Sequence, residues 1–257
     1  NGDNFEIQVG EVTSVNDVKA AVHDCDGIVH LAAVSRDGYE RPWECVASNI
    51  MGTANLLEAA RMSALRPWVV LGSTRNVPSS NVSHDTFPSL YSITKFAAEV
   101  CARRYAEDYG LRVLALRFSD VYGSERDHST KVLPLFVQQA LAGAPLRVED
   151  PLDCFDFTYY EDVVHGVLQG VAWLEANGCG AYEAVTLCTG ERTTLQQLAE
   201  KIVAELSADS PIEVTANEAP SRGTRLENDP SRAWEILGFQ SRVSLAEGLR
   251  RLAQALT

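Results

Sequence analysis

The sequence is poor in lysine, which accounts for only four of its 257 residues. Acidic residues outnumber lysine and arginine by 35 to 22, giving a formal net charge of −13. Proteins that bind nucleic acid neutralise phosphates with clustered lysine and arginine, so this composition argues against such a partner. The sequence also lacks any run of about 18 or more apolar residues, as a membrane-spanning helix would need.

Cysteine and histidine are sparse and scattered. The six cysteines form no CxxC pair and the five histidines form no HExxH arrangement. Because zinc sites draw on closely spaced ligands of these types, we predict no metal site. We interpret the cysteines as reduced and structural, which indicates a cytoplasmic protein. Methionine occurs only at Met51 and Met62, so we expect part of the beginning to be missing.

Strand and helix patterns alternate along the first half of the sequence. Residues 27–32 form a nearly continuous apolar run, typical of a strand buried on both faces. Ser14 suits the N-cap of a short helix, Pro42 fits the first turn of a helix over 42–61, and Gly110 is a typical stop for a helix over 91–109. The predicted strands of this half are residues 5–9, 27–32, 68–71 and 112–118.

This alternation predicts an α/β protein with a Rossmann-like, doubly wound parallel sheet. Beyond residue 124 strand and helix patterns alternate less regularly. This change predicts a smaller α/β lobe over 125–257, with some segments returning to the sheet. The elements predicted there are helices over 132–141, 162–174, 195–206 and 244–256, an extended segment over 156–160 and a strand over 212–215.

The most informative local motif is YSITK, in which Tyr91 and Lys95 are four residues apart at a helix start. Such residues share a helix face, and a nearby ammonium group favours the ionised form of a phenol. We therefore expect Lys95 to lower the pKa of Tyr91, which makes it a usable proton donor or acceptor. A surface tyrosine beside a surface lysine is the alternative.

Ser73 and Thr74 end the preceding predicted strand. A hydroxyl group there could bind a substrate oxygen where Tyr91 exchanges a proton, and an ordinary Ser/Thr turn is the alternative. His30 lies within a predicted buried strand. We interpret it as a core histidine with satisfied hydrogen bonds rather than as a ligand.

Six motifs follow one another along the chain: HLAAVS, NIMGTANLLEAAR, GSTRNV, YSITKFAAE, LRFSDVYG and DFTYYEDVV. Together they resemble the extended short-chain dehydrogenase/reductases of the NAD-dependent epimerase/dehydratase group. The resemblance implies NAD(P)-dependent hydride transfer at an alcohol or carbonyl carbon of a sugar or nucleotide-sugar-like substrate, with NAD favoured over NADP. It also implies a dinucleotide-binding domain over 1–124, a substrate-binding lobe over 125–257, and a homodimer formed through the helices over 42–61 and 91–109.

The resemblance assigns roles to individual residues. Tyr91 is the implied catalytic acid/base, and Lys95 lowers its pKa and holds the nicotinamide ribose. Thr74 takes the Ser/Thr position beside the reacting carbon, with Ser73 as the second choice. The implied cofactor contacts are Glu11, Ala32, Ala33, Asn49, Tyr91 and Lys95. The implied substrate contacts are Thr74, Asp120, Phe155 and Arg222.

Two of these residues depart from the pattern of nucleotide-sugar enzymes. Phe155 stands where the group usually carries arginine, and Asp120 where it usually carries asparagine; a carboxylate there would repel a diphosphate. Arg222 does match a later arginine of the group. A carbonyl reductase or alcohol dehydrogenase acting on a non-nucleotide substrate is therefore the alternative. From another class, we keep a non-catalytic cofactor-sensing or scaffold protein, or a truncated, inactive product.

The family opens with a strand and a GxxGxxG loop that holds the cofactor pyrophosphate at a helix N-terminus. The 257 residues contain no such loop. In the usual strand order, 3-2-1-4-5-6, the two absent strands separate residues 5–9 from 27–32. We therefore expect a sheet that lacks its first two strands, unless another segment fills the gap.

Overall fold

The computed structural model describes residues 5–35, 41–78, 89–128, 131–215 and 228–257. Its contacts divide the chain into two units. Unit 1 comprises Asn1–Arg117 and Gly170–Val185, and unit 2 comprises Phe118–Gln169 and Thr186–Thr257. The functions predicted for residues 1–124 and 125–257 stay predictions. None of the helices in the described ranges is long and apolar enough to cross a membrane.

The described elements are ten strands and nine α-helices, with one π-helical turn at Ala47–Gly52. The strands are β1 (Gly27–His30), β2 (Trp68–Thr74), β3 (Val113–Phe118), β4 (Asp120–Tyr122), β5 (Leu146–Val148), β6 (Cys154–Phe155), β7 (Phe157–Tyr159), β8 (Tyr182–Leu187), β9 (Thr193–Thr194) and β10 (Ile212–Val214). The helices are α1 (Val15–Val22), α2 (Pro42–Val46), α3 (Thr53–Met62), α4 (Leu90–Tyr109), α5 (Val132–Leu141), α6 (Tyr160–Ala176), α7 (Leu195–Leu206), α8 (Ser231–Leu237) and α9 (Leu245–Leu256).

The main sheet has four strands in the order β1-β2-β3-β8. β1 and β2 are parallel, with Gly27 opposite Trp68 and His30 opposite Leu71. Helices α1, α3 and α4 supply apolar side chains to the core of unit 1, together with the buried residues of β2 and β3. The parallel pairing and the flanking helices agree with the predicted doubly wound α/β class.

The helix that follows β2 begins and ends where the sequence predicts. The Ser89 and Ser92 hydroxyls each accept a hydrogen bond from the other residue's backbone N–H, which closes a capping box at the start of α4. Gly110 ends the helix in the left-handed conformation, with φ of 73°. A Cβ atom on Gly110 would lie 2.4 Å from the Cys179 sulfur, so both backbone and space favour glycine there.

Two sequence predictions about the first strands are wrong. Residues 5–9 form no strand, and Phe5, Ile7 and Val9 are exposed. The run over 27–32 is not buried on both faces, since Val29 is 42% exposed and Leu31 is 57% exposed. Among the described residues, β1 pairs only with β2 and residues 5–9 pair with no strand, so neither segment lies inside the sheet.

The helix predicted over 42–61 is divided into α2, the π-helical turn and α3. The turn contains Asn49, whose buried side chain binds the loop after β1, and Gly52, where a Cβ atom would lie 2.7 Å from a Val12 methyl group. Irregular turns of this kind are frequent at functional sites.

Unit 2 contains three two-stranded sheets: β4 with β7 and β5 with β10 are parallel, and β6 with β9 is antiparallel. Its core is formed by α5, α7 and α9 with β4, β5 and β7. The sequence analysis missed α8 and the strands β4, β5, β6, β8 and β9, of which β8 joins the main sheet. All of them except β8 are short, with seven residues in α8 and three or fewer in each of the other strands.

Buried carboxylates hold two loops of unit 2. Asp156 is 2% exposed and accepts hydrogen bonds from the Thr189 N–H and hydroxyl and from the Gly190 N–H. Asp162 is 1% exposed, and its Oδ2 atom accepts from the Ser241 hydroxyl and from the backbone N–H groups of residues 242 and 243. These bonds fix the segments 188–190 and 241–243.

Replacing Asp162 with alanine should lower the free energy of unfolding by about 3 kcal/mol, because three donors lose a charged acceptor. The matched variant Ser241→Ala loses only one of these hydrogen bonds and should cost about 1 kcal/mol. Urea unfolding followed by circular dichroism measures both values. Equal losses for the two variants would contradict a role for Asp162 in holding the 241–243 backbone.

Candidate active site

Tyr91 and Lys95 lie on the first turns of α4, and Ser73 and Thr74 end β2. Lys95 is 4% exposed, and its Nζ atom donates a hydrogen bond of 2.8 Å to the Gly72 carbonyl oxygen. The same Nζ atom lies 5.9 Å from the centre of the Tyr91 ring. Lys95 therefore joins the end of β2 to the start of α4. Tyr91, Lys95, Ser73 and Thr74 all lie in unit 1.

The pKa values in this group differ from the sequence expectation. Burial raises the pKa of the Tyr91 phenol, with the Cys45 thiol acting in the same direction. Burial also lowers the pKa of Lys95 to about 8, against opposing effects of Glu99 and Cys45. The expected lowering of the tyrosine pKa is thus wrong for this structure, because Lys95 faces the ring and the Gly72 carbonyl while desolvation disfavours the phenolate.

His30 is a satisfied core histidine, as its position in the sequence predicts. It is 4% exposed, and its Nε2 atom lies 3.1 Å from the Thr53 hydroxyl oxygen. Burial lowers the pKa of His30 to about 4, with the positive charge of Lys95 adding to the effect. The imidazole is therefore neutral at physiological pH.

Ser73 and Thr74 have different surroundings. The buried Ser73 hydroxyl donates a hydrogen bond of 2.5 Å to Oε1 of Glu99. Thr74 is 8% exposed, and its hydroxyl oxygen accepts from the Asn76 N–H at 3.3 Å. Because the Ser73 hydroxyl already donates its hydrogen bond to Glu99, Thr74 is favoured as the residue that faces the reacting carbon.

The sequence analysis missed Glu99 and Arg117. Glu99 is 3% exposed, lies one helical turn beyond Lys95, and forms an ion pair of 2.7 Å with Nη2 of Arg117. Arg117 Nε donates to the same carboxylate at 3.0 Å. The sequence could have indicated Glu99, because Tyr91, Lys95 and Glu99 are spaced four residues apart and share one helix face.

Asn49 joins the loop after β1 to α4. Its Oδ1 atom accepts from the Val34 N–H at 2.8 Å, and its Nδ2 atom donates to the Val34 carbonyl and the Thr94 hydroxyl, both at 2.9 Å. The Thr94 hydroxyl donates in turn to the Tyr91 carbonyl at 2.8 Å. The cofactor contact implied for Asn49 stays a prediction, and the structure adds this positioning role.

The remaining implied cofactor contacts are accessible. Ala32 and Ala33 are exposed immediately after β1, and their small side chains leave the backbone open to a ligand. Glu11 is exposed too, and its backbone N–H donates a hydrogen bond of 3.0 Å to the Asp17 carboxylate. Their cofactor contacts stay predictions, and no described residue forms a Gly-rich loop for the pyrophosphate.

Two of the implied substrate contacts of unit 2, Asp120 and Phe155, already make contacts within the chain. Oδ2 of Asp120 accepts from the Asp156 N–H at 3.1 Å, across the β4–β7 pair. The Phe155 ring stacks on Phe157, with ring centres 5.4 Å apart, and packs against the core of unit 2. Arg222 lies outside the described residues.

Unit 2 contains a cavity of about 720 Å³, within the size range of small-molecule sites. The segments held by Asp156 and Asp162 form part of its wall. Its lining includes Phe157, Thr189, Glu191, Trp234, Phe239 and Arg242. Within the described ranges, no cluster of three or more histidine, cysteine or acidic side chains could hold a metal ion.

Known proteins resemble this chain along nearly its whole length. The NAD dependent epimerase/dehydratase family matches residues 2–182. A UDP-glucose 4-epimerase of Mycolicibacterium smegmatis is 30% identical over 242 residues, which cover 88% of this chain and 74% of the relative. A UDP-glucuronate 4-epimerase of Thermodesulfobacterium geofontis is 27% identical over 263 residues, covering 97% and 78%.

The fold is shared with solved structures as well. An epimerase of Methanothermobacter thermautotrophicus superposes with a TM-score of 0.84 at 21% identity, covering 99% of this chain and 79% of that one.

The parallel sheet, with Tyr91 and Lys95 on the helix after β2, defines a short-chain dehydrogenase/reductase. More specifically, the chain belongs to the NAD-dependent epimerase/dehydratase family. The predictions of the family, the fold class, the NAD(P)-dependent enzyme class and the nicotinamide cofactor are confirmed. The individual site residues stay predictions.

The buried Lys95 should make stability depend on pH. Its pKa is about 8 in the folded chain and about 10.4 in an unfolded one. The unfolded state therefore binds more protons between these values, so stability should rise with pH across this window. Measured against Lys95→Met, the wild type should gain about 2–3 kcal/mol in free energy of unfolding from pH 7 to pH 10.

Urea unfolding of both proteins at each pH gives this difference, and Lys201→Met, which removes an exposed lysine, is the control. A difference between wild type and Lys95→Met that does not change with pH would contradict a lowered lysine pKa.

Proposed function

We propose that this protein oxidises and reduces an alcohol or carbonyl carbon of a nucleotide sugar, as part of an epimerisation or dehydration. The proposal is supported by the contacts between β2 and α4, in which Lys95 binds the Gly72 carbonyl and faces the Tyr91 ring. The substrate class follows from the relatives, which include a UDP-glucose 4-epimerase and a UDP-glucuronate 4-epimerase.

Tyr91 moves the proton of the substrate hydroxyl group. In the oxidative direction its phenolate oxygen accepts that proton, and in the reductive direction the phenol returns it. Because burial raises the pKa of Tyr91, the phenol is the resting form and suits the donor role. The phenolate needs a positive charge beside it, and Lys95 is the cation within reach on the same helix face.

Thr74 holds the substrate oxygen, and Lys95 holds the nicotinamide ribose. NAD(P), when bound, supplies the hydride acceptor and donor for the substrate carbon. Asn49 and Thr94 keep the loop after β1 attached to the start of α4, which restrains the backbone on which Tyr91 is carried.

The cavity of unit 2 is the proposed site for the nucleotide. Its volume of about 720 Å³ lies in the range of about 300–1,000 Å³ that suits such a ligand. Trp234 and Phe157 offer aromatic surface to a base, and Arg242 offers a charge to phosphate. Phe155 and Asp120 favour the alternative, a reductase of a non-nucleotide carbonyl compound, since neither can pair with a phosphate.

Tyr91→Phe should lower turnover by about 100-fold or more, because the proton donor is lost. The assay supplies UDP-glucose or UDP-glucuronate with NAD⁺ and follows the products by NMR. Tyr109→Phe is the matched control, a tyrosine 48% exposed near the end of the same helix. Turnover unchanged in Tyr91→Phe, or absent from the wild type with every nucleotide sugar, would contradict the proposal.

Binding distinguishes the two substrate classes. Arg222→Ala and Arg242→Ala should each weaken UDP-sugar binding by about tenfold, because each removes a cation that can pair with a diphosphate. Calorimetry measures the affinities, with Arg147→Ala, an exposed arginine paired with Glu213, as the control. Reduction of simple aldehydes without any UDP-sugar binding would favour the alternative.

The chain is also proposed to form a homodimer through α2, α3 and α4. Trp43, Ile93 and Val100 on these helices are exposed apolar residues, and such surface is typical of an interface. A cytoplasmic location stays a prediction from the cysteine pattern.

A further inference from the structure

Glu99 and Arg117 form a buried ion pair directly beside the catalytic group. The Glu99 side chain is 4% exposed and that of Arg117 is 10% exposed. The carboxylate accepts three hydrogen bonds from Arg117, at 2.7, 3.0 and 3.3 Å, and one from the Ser73 hydroxyl at 2.5 Å. Replacement of a buried pair by apolar residues is often neutral for stability, so stability alone does not account for this one.

The ion pair connects α4 to β3, and Glu99 also connects α4 to the end of β2 through the Ser73 hydroxyl. Three consecutive residues of β2 lead to the proposed substrate contact: Lys95 binds the Gly72 carbonyl, Glu99 binds the Ser73 hydroxyl, and Thr74 follows. The helix that carries Tyr91 therefore holds the strand that carries Thr74 at two successive residues. A shift of either element would change how the phenol and the threonine face one substrate oxygen.

Glu99 also supplies the negative charge that acts on Lys95. Its carboxylate raises the pKa of Lys95, opposing the larger effect of burial. The other titratable groups near the ammonium are Tyr91 on the same helix, Cys45 on α2 and His30 on β1. His30 is neutral at physiological pH, and Cys45 acts in the same direction as Glu99, which is the carboxylate among these groups.

We propose that Glu99 is a positioning residue of this active site: held by Arg117, it fixes Ser73 and with it Thr74, and its negative charge acts on the Lys95 ammonium group one helical turn away. This inference rests on the proposed function only in that Tyr91, Lys95 and Thr74 are taken as the catalytic group. Ser73 is then a link in the scaffold and not a second catalytic hydroxyl.

The charge effect is measured without substrate or cofactor. The chain has only four lysines, so a sample labelled with ¹³C at lysine Cε gives four NMR resonances, and Lys95→Met identifies that of Lys95. In the wild type this resonance should titrate near pH 8. In Glu99→Gln its midpoint should fall by about 0.5 pH unit or more, because an opposite charge that favoured the ammonium form is removed.

Glu107→Gln is the matched control, since Glu107 lies on the same helix in exposed pairs with Arg103 and Arg104. It should leave the Lys95 midpoint unchanged. If Glu99→Gln does not fold because Arg117 is left unpaired, the double variant Glu99→Gln, Arg117→Gln is compared with Arg117→Gln alone, because both then lack the Arg117 charge, which acts on Lys95 in the opposite sense. The midpoint of the double variant should be lower by about 0.5 pH unit or more. An unchanged midpoint in the folded Glu99 variants overturns the proposal.

The positioning effect is measured with Ser73→Ala, which breaks one hydrogen bond and leaves the ion pair intact. Its kcat should fall about tenfold with KM unchanged, since a small displacement of reacting groups slows the chemical step. Ser73→Thr, which keeps a hydroxyl, should recover most of the loss, and the Lys95 midpoint should not move in either variant. A kcat within twofold of wild type, or a change confined to KM, overturns the proposal.

The two measurements separate the failure of this inference from failure of the proposed function. If no nucleotide sugar is turned over, the proposed function fails, and the lysine titration still decides whether Glu99 governs the protonation of Lys95.

Discussion

A lysine ammonium group buried against the end of a parallel strand is the constraint around which unit 1 is arranged. Such a charge is costly to bury unless it is paired and hydrogen-bonded. Lys95 meets this demand with the Gly72 carbonyl and with Glu99 one turn away, and its pKa nevertheless falls to about 8. Its charge also helps to keep His30 neutral. The lysine is thus retained at a cost in stability, which is consistent with the catalytic role proposed for it.

The neighbouring polar groups are satisfied by one another, which makes the site rigid before any ligand arrives. Asn49 binds both backbone groups of Val34 and reaches Thr94, which binds the backbone of Tyr91. On the other side, Arg117 and Glu99 hold Ser73. A proton transfer depends on the placement of the phenol relative to the substrate oxygen, and these two networks restrain the helix and the strand that provide it.

Much of the fold could be predicted because its determinants are local. Ser14 and Gly110 mark helix ends through capping and a left-handed turn, and the spacing of Tyr91 and Lys95, four residues apart, identifies them as a pair. The failures have a common cause, since burial and pairing depend on neighbours that a strand pattern does not reveal: residues 5–9 have no described partner, and Val29 lies on an unpaired edge. The raised pKa of Tyr91 and the Glu99–Arg117 pair likewise arise from tertiary contacts.

Lys95 and Tyr91 are proposed to form a nicotinamide site within this chain. The most direct test titrates NADH and NADPH into the protein and follows nicotinamide fluorescence, with Lys95→Met beside Lys131→Met, a lysine paired with Asp127 in unit 2. We expect saturable binding that Lys95→Met abolishes and Lys131→Met preserves. Binding that survives Lys95→Met unchanged, or no binding by the wild-type chain, would contradict it.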